Sequence, residues 1–150
     1  MVLRAIEAAA PSFAMEANAA PFRDITEIED TINVFTREPN GGLIVMPDIS
    51  IGEVHRELIV RLAARHRLPA IYPFRYFAIG GDLIAYGIDV IDLYRRAAVY
   101  IDRILKGENP ANLPMQAPTK YELAINLKTA KALGLEVPAT LLARADEVIE

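Results

Sequence analysis

The sequence lacks several features, and each absence removes a class of function. It contains no cysteine, which excludes disulfides, thiolate metal ligands and a cysteine nucleophile. Sixteen basic residues against 20 acidic ones give a net charge of −4, a balance that argues against nucleic-acid binding. No apolar run approaches the ~18 residues of a membrane span. The first residues lack the charged-then-apolar layout of a secretory signal.

Catalytic and cofactor motifs are also missing. His55 and His66 lie eleven residues apart on one predicted helix, about 16 Å along its axis, so they cannot share a metal ion, and we expect both to be exposed to solvent. The pairs Gly41-Gly42 and Gly80-Gly81 belong to no phosphate-binding loop. The residues therefore favour binding over catalysis, with no cofactor and no metal.

The 150 residues are 53% hydrophobic, enough for one globular domain. Apolar spacing predicts helices and strands in alternation, which is typical of an α/β domain. The predicted helices are 2–10, 24–38, 50–66, 89–105, 127–133 and 138–150. Asp24 and Asp89 are the predicted caps of the second and fourth helices, and Ser50 and Glu53 form a capping box at the start of the third. The predicted strands are 13–18, 43–46, 69–73, 82–86 and 121–126; the continuous apolar run of 43–46 predicts a strand buried on both faces.

Candidate binding residues follow from the rule that open α/β sheets bind ligands beyond the carboxyl ends of their strands. Asp48 follows the strand 43–46, and the aromatic residues Tyr72, Phe74 and Tyr86 would ring the same edge. Each of these residues also has a structural explanation that involves no ligand. Asp48 could be a polar loop residue, and the three aromatic side chains could pack at the edge of the sheet. Asp89 is first a helix cap, although a cap at a cleft can also contact a ligand. Arg75 could pair with an anion, but a lone loop arginine is usually solvated.

An ordered string of motifs resembles the tryptophan/tyrosine-type family of ABC-transporter substrate-binding proteins. It runs from LPAIYPFRYFAIGGDLIAYGID (68–89) through IDRILKGENP (101–110) to PTKYELAINLKTAKALGL (118–135) and LLARADEVI (141–149). The resemblance implies a type I periplasmic-binding-protein fold, with residues 1–150 as a single α/β domain equivalent to the C-terminal lobe. That lobe would be a three-layer, Rossmann-like or flavodoxin-like unit, with a mostly parallel sheet flanked by helices.

The resemblance also implies a function. Such proteins bind a small solute, here an amino-acid-like molecule, and deliver it to an ABC permease without catalysing a reaction, and they are periplasmic. The ligand contacts of this lobe would come from Asp48, from Tyr72 to Phe74, and from Tyr86, Gly87 and Asp89.

Family members are about twice as long, so the resemblance leads us to expect that a first lobe, the strand that opens the second lobe and an export leader are missing. A chain expressed without a leader would stay in the cytoplasm. In the family, the helix at 88–105 crosses to the first lobe, so here its apolar stripe would lack cover, and we expect a homodimer that buries it. The alternative functions are a free-standing α/β sensor or protein-interaction domain and, less favoured without a phosphate loop, a small flavodoxin-like enzyme.

Overall fold

The computed structural model describes residues 2–47 and 55–150, which divide into two compact units at residues 38 and 39. The helices are α1 (Val2–Ala9), α2 (Ile25–Phe35), α3 (Arg56–Arg65), α4 (Arg75–Ile79), α5 (Val90–Leu105), α6 (Leu127–Leu133) and α7 (Ala139–Leu142). The strands are β1 (Leu43–Ile44), β2 (Ala70–Tyr72), β3 (Ile84–Ile88), β4 (Tyr121–Asn126) and β5 (Glu147–Ile149).

The first unit contains α1 and α2. The Asp24 carboxylate caps α2 by accepting hydrogen bonds from the backbone N–H groups of Thr26 and Glu27, as predicted. The predicted strand at 13–18 is wrong. Residues Ala10–Phe13 form a 3₁₀ turn, and the N–H of Ala14 returns to the Pro11 carbonyl, so the chain bends back where a strand would have to extend.

The second unit is built on one five-stranded sheet with the order β1-β2-β3-β4-β5. Every neighbouring pair is parallel except β3 with β4, so the predicted α/β class with a mostly parallel sheet flanked by helices is confirmed. The short helix α4, which the sequence analysis missed, connects β2 to β3. It lies close to the sheet because Ala78, Ala85 and Ala124, all buried, form its contact.

Three strands differ from their predictions. β3 begins and ends two residues later than the predicted 82–86. β1 covers two residues at the edge of the sheet, and Ile44 is 53% exposed, so this strand is not buried on both faces. The predicted helix 138–150 is helical over α7 alone, and its end is β5. Asp146 fixes this end beside β4, because its backbone N–H donates to the Leu123 carbonyl and its carboxylate accepts from the Leu123 N–H, each at 2.8 Å.

α5 follows its predicted position, and α3 covers the second part of the predicted helix 50–66, since it begins at Arg56. Asp89 caps α5 with a hydrogen bond from the N–H of Asp92, and the predicted box at Ser50 and Glu53 lies outside the described residues. The expectation that both histidines are exposed is wrong. His55 and His66 flank α3 and are half-buried, and among the described residues His55 Nδ1 and His66 Nε2 have no hydrogen-bond partner.

Candidate functional site

The carboxyl edge is the edge of the sheet where β1, β2 and β3 end and where β4 and β5 begin. The register places Ile88 opposite Tyr121 and Gly87 opposite Glu122, so the end of β3 and the start of β4 lie side by side. Parallel pairing of β4 with β5 brings Glu147 opposite Ala124. Charged side chains from several elements therefore collect at this edge.

Asp89 and Lys120 form the first ion pair of the edge. Lys120 Nζ lies 2.6 Å from Asp89 Oδ2, while Asp89 Oδ1 accepts the N–H of Asp92 at 3.0 Å. The backbones are also joined, because the Asp89 N–H donates to the Lys120 carbonyl. The hydrogen bond from Lys120 lowers the pKa of Asp89, helped by the capping bond, and the same pair raises the pKa of Lys120. Asp89 is thus an ionised cap already held by two donors.

Arg75 and Glu147 form the second ion pair, at 2.5 Å between Nε and Oε2. Glu122 interacts electrostatically with both ion pairs. Burial raises the pKa of Glu122, and the negative charge of Asp89 raises it further, while Arg75 and Lys120 oppose this. The carboxylates of Asp89, Glu122 and Glu147 outnumber the two cations, so the cluster carries one excess negative charge.

We call the five residues Arg75, Asp89, Lys120, Glu122 and Glu147 the charged row. Side chains alternate between the two faces of a strand, and directly opposed residues share a face. Glu122 and Glu147 are therefore on one face of the sheet, together with Gly87.

Gly87 is where β3 passes closest to the loop after β2. A Cβ atom placed on Gly87 would lie 1.9 Å from the carbonyl oxygen of Pro73, a distance that no pair of non-bonded atoms adopts. Glycine is needed at position 87 because only a residue without a side chain lets the ends of β2 and β3 come this close at the carboxyl edge.

Tyr72 and Asp82 belong to a buried cluster on α4. The Tyr72 ring stacks on Phe77 with the centroids 4.6 Å apart, and its hydroxyl is buried without a hydrogen-bond partner among the described residues. The Arg56 guanidinium lies over the rings of Tyr76 and Phe77, at 4.8 Å and 5.0 Å.

The electrostatics of this cluster are dominated by burial. Burial raises the pKa of Asp82 to about 6, against the opposing charge of Arg56. Burial also raises the pKa of Tyr72. With 1% of its surface exposed, Tyr72 could meet a ligand only if its surroundings moved.

The other aromatic residues of the prediction lie elsewhere on the sheet. Tyr86 is 57% exposed and stacks on Tyr121 at 6.2 Å between centroids. Both are on the face opposite Gly87, because Tyr86 is its direct neighbour in the strand. Phe74 precedes α4, is half-buried, and stacks on Tyr76 at 5.5 Å.

The structure brings some of the predicted site residues together and separates others. Asp48 lies outside the described residues. Gly87 and Asp89 share the carboxyl edge with the charged row, Tyr72 is buried below it, and Tyr86 faces the other side. The expected ring of three aromatics is therefore not formed by Tyr72, Phe74 and Tyr86.

Sequence reasoning missed most of the charged row. Glu147 lies in β5 and not in the predicted helix 138–150, and Arg75 lies at the start of α4 and not in a loop. The available signal was the spacing of Lys120 and Glu122 across the start of β4, since residues two apart in an extended chain share a face.

One surface groove lies apart from the carboxyl edge. A surface groove of about 460 Å³ beside α2 contains none of the predicted residues; it is lined by Pro21, Arg23, Glu27, Asp30 and Thr31. Within residues 2–47 and 55–150, no group of histidine, aspartate and glutamate side chains is arranged to hold a metal ion. In the same ranges, no helix combines the length and the hydropathy needed to cross a bilayer.

Three solved structures are similar to this chain. The first is an ABC domain from Streptococcus pneumonia in complex with L-Trp, with a TM-score of 0.83 and 22% identity; the match covers 99% of this chain and 51% of that one. A conserved domain protein from Vibrio cholerae has a TM-score of 0.83 and 19% identity, over 98% and 49% of the two chains. A ligand-free, open substrate-binding protein with adhesive properties from Clostridium difficile has a TM-score of 0.59 and 18% identity, over 98% and 48%.

These comparisons and the sheet define an α/β unit of the periplasmic-binding-protein type, and the chain spans about half the length of the solved structures it matches. A sequence model of the ABC transporter substrate binding protein family matches residues 1–149. The chain therefore belongs to the family of ABC transporter substrate-binding proteins. No curated protein matches it in a sequence search.

Proposed function

We propose that this chain is a solute-binding lobe of an ABC importer and that it binds an amino acid at the carboxyl edge, without catalysis. Family membership supports a small-solute role. The single observation that carries the proposal is the charged row, which presents carboxylates and cations side by side at the sheet edge where open α/β sheets bind ligands. An amino acid carries the two complementary charges.

Glu122 is the residue best suited to the ligand ammonium group. The causes that raise its pKa, burial and the neighbouring carboxylates of Asp89 and Asp146, disfavour its ionised form. A bound ammonium group would lower the pKa of Glu122 again and neutralise the excess negative charge of the charged row. Arg75 and Lys120, whose side chains are 41% and 59% exposed, are the available cations for the ligand carboxylate.

The side chain of the ligand is proposed to be aromatic. Phe74, which is half-buried, provides aromatic surface at the carboxyl edge on which a ring could stack, whereas the Tyr86–Tyr121 pair lies on the opposite face of the sheet. A structural neighbour with 22% identity binds L-Trp, which makes tryptophan the first ligand to test. A permease of the same transporter would be the protein partner, and the periplasm would be the compartment.

The charges of the row predict how binding depends on ligand chemistry and pH. Isothermal titration calorimetry should give saturable binding for an L-amino acid, with L-tryptophan as the lead. Tryptamine, which lacks the carboxylate, and indole-3-propionate, which lacks the ammonium group, should bind at least about tenfold more weakly, since a hydrogen bond to a charged group contributes roughly 1.5–3 kcal/mol. Affinity should increase as the pH rises through the raised pKa of Glu122.

Glu122→Gln is the matching variant, because it keeps the shape of the side chain and removes its charge. We expect it to weaken binding of the amino acid, to leave indole-3-propionate unaffected, and to flatten the pH dependence. Glu29→Gln, at an exposed glutamate of α2, is the control and should bind like the parent chain. No saturable binding of any common amino acid at millimolar concentration would refute the proposal and favour the interaction-domain alternative.

A further inference from the structure

The turn between α2 and β1 contains the pair Asn40-Gly41, which the proposed binding function does not use. The chain has six asparagines, at positions 18, 33, 40, 109, 112 and 126, and the one at position 40 is followed by a glycine. The amide carbon of an asparagine side chain can be attacked by the backbone nitrogen of the next residue, and a Cβ on that residue hinders the attack. Glycine has no Cβ, so this pair is the most open to such an attack.

The structure leaves both reacting groups unhindered. Asn40 is exposed and adopts a φ of +65°, a left-handed conformation that asparagine tolerates better than most residues. Within residues 2–47 and 55–150, neither the Asn40 side chain nor the Gly41 N–H takes part in a hydrogen bond. The side-chain amide and the nitrogen that would attack it are therefore neighbours that no other group holds apart.

The pair lies at the amino edge of the sheet. Asn40 precedes β1, which runs parallel to β2, whereas α5 starts at the carboxyl edge. The exposure of this turn is therefore a property of the edge opposite to α5, and the inference does not depend on what covers that helix.

β1 depends closely on this turn. The Leu43 N–H donates to the Pro69 carbonyl at 2.8 Å, and the Val45 N–H donates to the Ile71 carbonyl at 2.9 Å. Gly42 passes so close to the same chain that a Cβ on it would lie 3.2 Å from the Pro69 carbonyl oxygen. Because β1 is a two-residue strand at the sheet edge, any change in the length of the backbone before it shifts these contacts.

We propose that Asn40-Gly41 is a self-modification site, at which the chain converts Asn40 into aspartate and isoaspartate. The Gly41 nitrogen gives its proton to hydroxide and attacks Cγ of Asn40. The new C–N bond closes a five-membered succinimide, and the side-chain nitrogen leaves as ammonia. Water then opens the ring at either carbonyl carbon, which gives aspartate or isoaspartate. In total, one water is consumed and one ammonia is released, with no oxidation or reduction.

The two products differ in their effect on β1. Aspartate tolerates the same left-handed conformation as asparagine, so it preserves the turn. In isoaspartate the main chain runs through Cβ and Cγ, which lengthens the backbone by one atom before Leu43. The hydrogen bond of Leu43 to Pro69 then no longer fits, and β1 separates from β2. Both products add a negative charge to a chain that already carries −4.

Peptide mapping of the chain after incubation at mildly alkaline pH tests the modification. Trypsin releases Asn40 in the peptide 38–56 and Asn18 in the peptide 5–23, and each peptide contains one asparagine. Asn18 is a matched control because it is also exposed but is followed by alanine. We expect peptide 38–56 to convert from amide to acid, in two chromatographic forms, at least about tenfold faster than peptide 5–23.

Two variants separate the chemistry from its consequence. Gly41→Ala should slow the conversion at least about tenfold through its added Cβ, and alanine suits this position because Gly41 does not have a positive φ. Asn40→Asp carries the new charge without the extra backbone atom. Hydrogen exchange at the amides of Leu43 and Val45 should therefore be faster in the incubated parent chain than in the fresh one, and unchanged in Asn40→Asp.

The outcomes separate the parts of this inference. Conversion at Asn40 no faster than at Asn18 overturns the proposal, and so does a Gly41→Ala variant that reacts as fast as the parent chain. Slow exchange at Leu43 and Val45 in a chain that contains isoaspartate overturns the separation of β1. None of these measurements involves a ligand, so they are independent of the proposed binding function.

Discussion

Gly87→Ala is expected to cause the largest loss of stability of any glycine-to-alanine substitution in the described residues. The new Cβ would lie 1.9 Å from the Pro73 carbonyl oxygen, so either β3 must leave its register with β4 or the loop after β2 must move. Overpacking a well-ordered interior typically costs about 1–3 kcal/mol and occasionally more, and a clash of backbone with backbone belongs at the upper end. Urea denaturation of the two proteins measures the difference in free energy of unfolding.

Gly107→Ala is the control for this prediction. Gly107 follows α5 with a φ of +96°, and a Cβ there would have nothing within 4 Å. Its cost is backbone strain alone, about 1–2 kcal/mol for an L-residue held at a positive φ. Equal losses at the two glycines would contradict the close approach of β3 to Pro73.

Asp82→Asn is expected to stabilise the protein at neutral pH. Burial raises the pKa of Asp82 from an ordinary 3.8 to about 6, so the folded state binds its proton more tightly than the unfolded state does. Well below pH 4 the carboxyl is protonated in both states and costs nothing. Between about pH 4 and 6 the unfolded state releases this proton while the folded state keeps it, so stability falls by on the order of 2–3 kcal/mol, and above pH 6 the loss is complete.

The asparagine variant removes this titration. The free energy of unfolding of the parent chain minus that of Asp82→Asn should become more negative between about pH 4 and 6 and then stay constant. Chemical denaturation at several pH values measures this difference, in which contributions from other carboxyls cancel. A difference that stays constant with pH would show that Asp82 does not titrate in the folded state in this window. Arg56 is the charged neighbour that could produce such a result, by holding Asp82 ionised.

Local signals were sufficient for most of the fold. Capping aspartates and apolar spacing predicted α2 and α5, and Gly134, in the left-handed conformation, ends α6 where the sequence places it. The failures occurred where local spacing fits two structures. Leu141, Ala145 and Val148 have helical spacing, yet the chain after α7 becomes a strand because β4 offers it a hydrogen-bonding edge.

The sequence predicts that a candidate site lies at the carboxyl edge, but it does not predict which charged residues meet there. Strand ends indicated Gly87 and Asp89, both at the carboxyl edge. The partners of Asp89 depend on an antiparallel strand that arrives from 31 residues further along the chain, and nothing local to Lys120 indicates which carboxylate it meets. The aromatics were grouped by the strands they belong to, although alternation along a strand sends Tyr86 to the face opposite Gly87.

The most direct test of the proposed binding function is an NMR titration of the ¹⁵N-labelled chain with L-tryptophan. We expect progressive, saturable shifts of the backbone amides of Phe74, Asp89 and Glu122, which lie at the carboxyl edge after β2, after β3 and near the start of β4, and no such shifts for Gly107 or Gly134. A spectrum that does not change at millimolar tryptophan, or that changes only at residues away from this edge, would contradict this expectation.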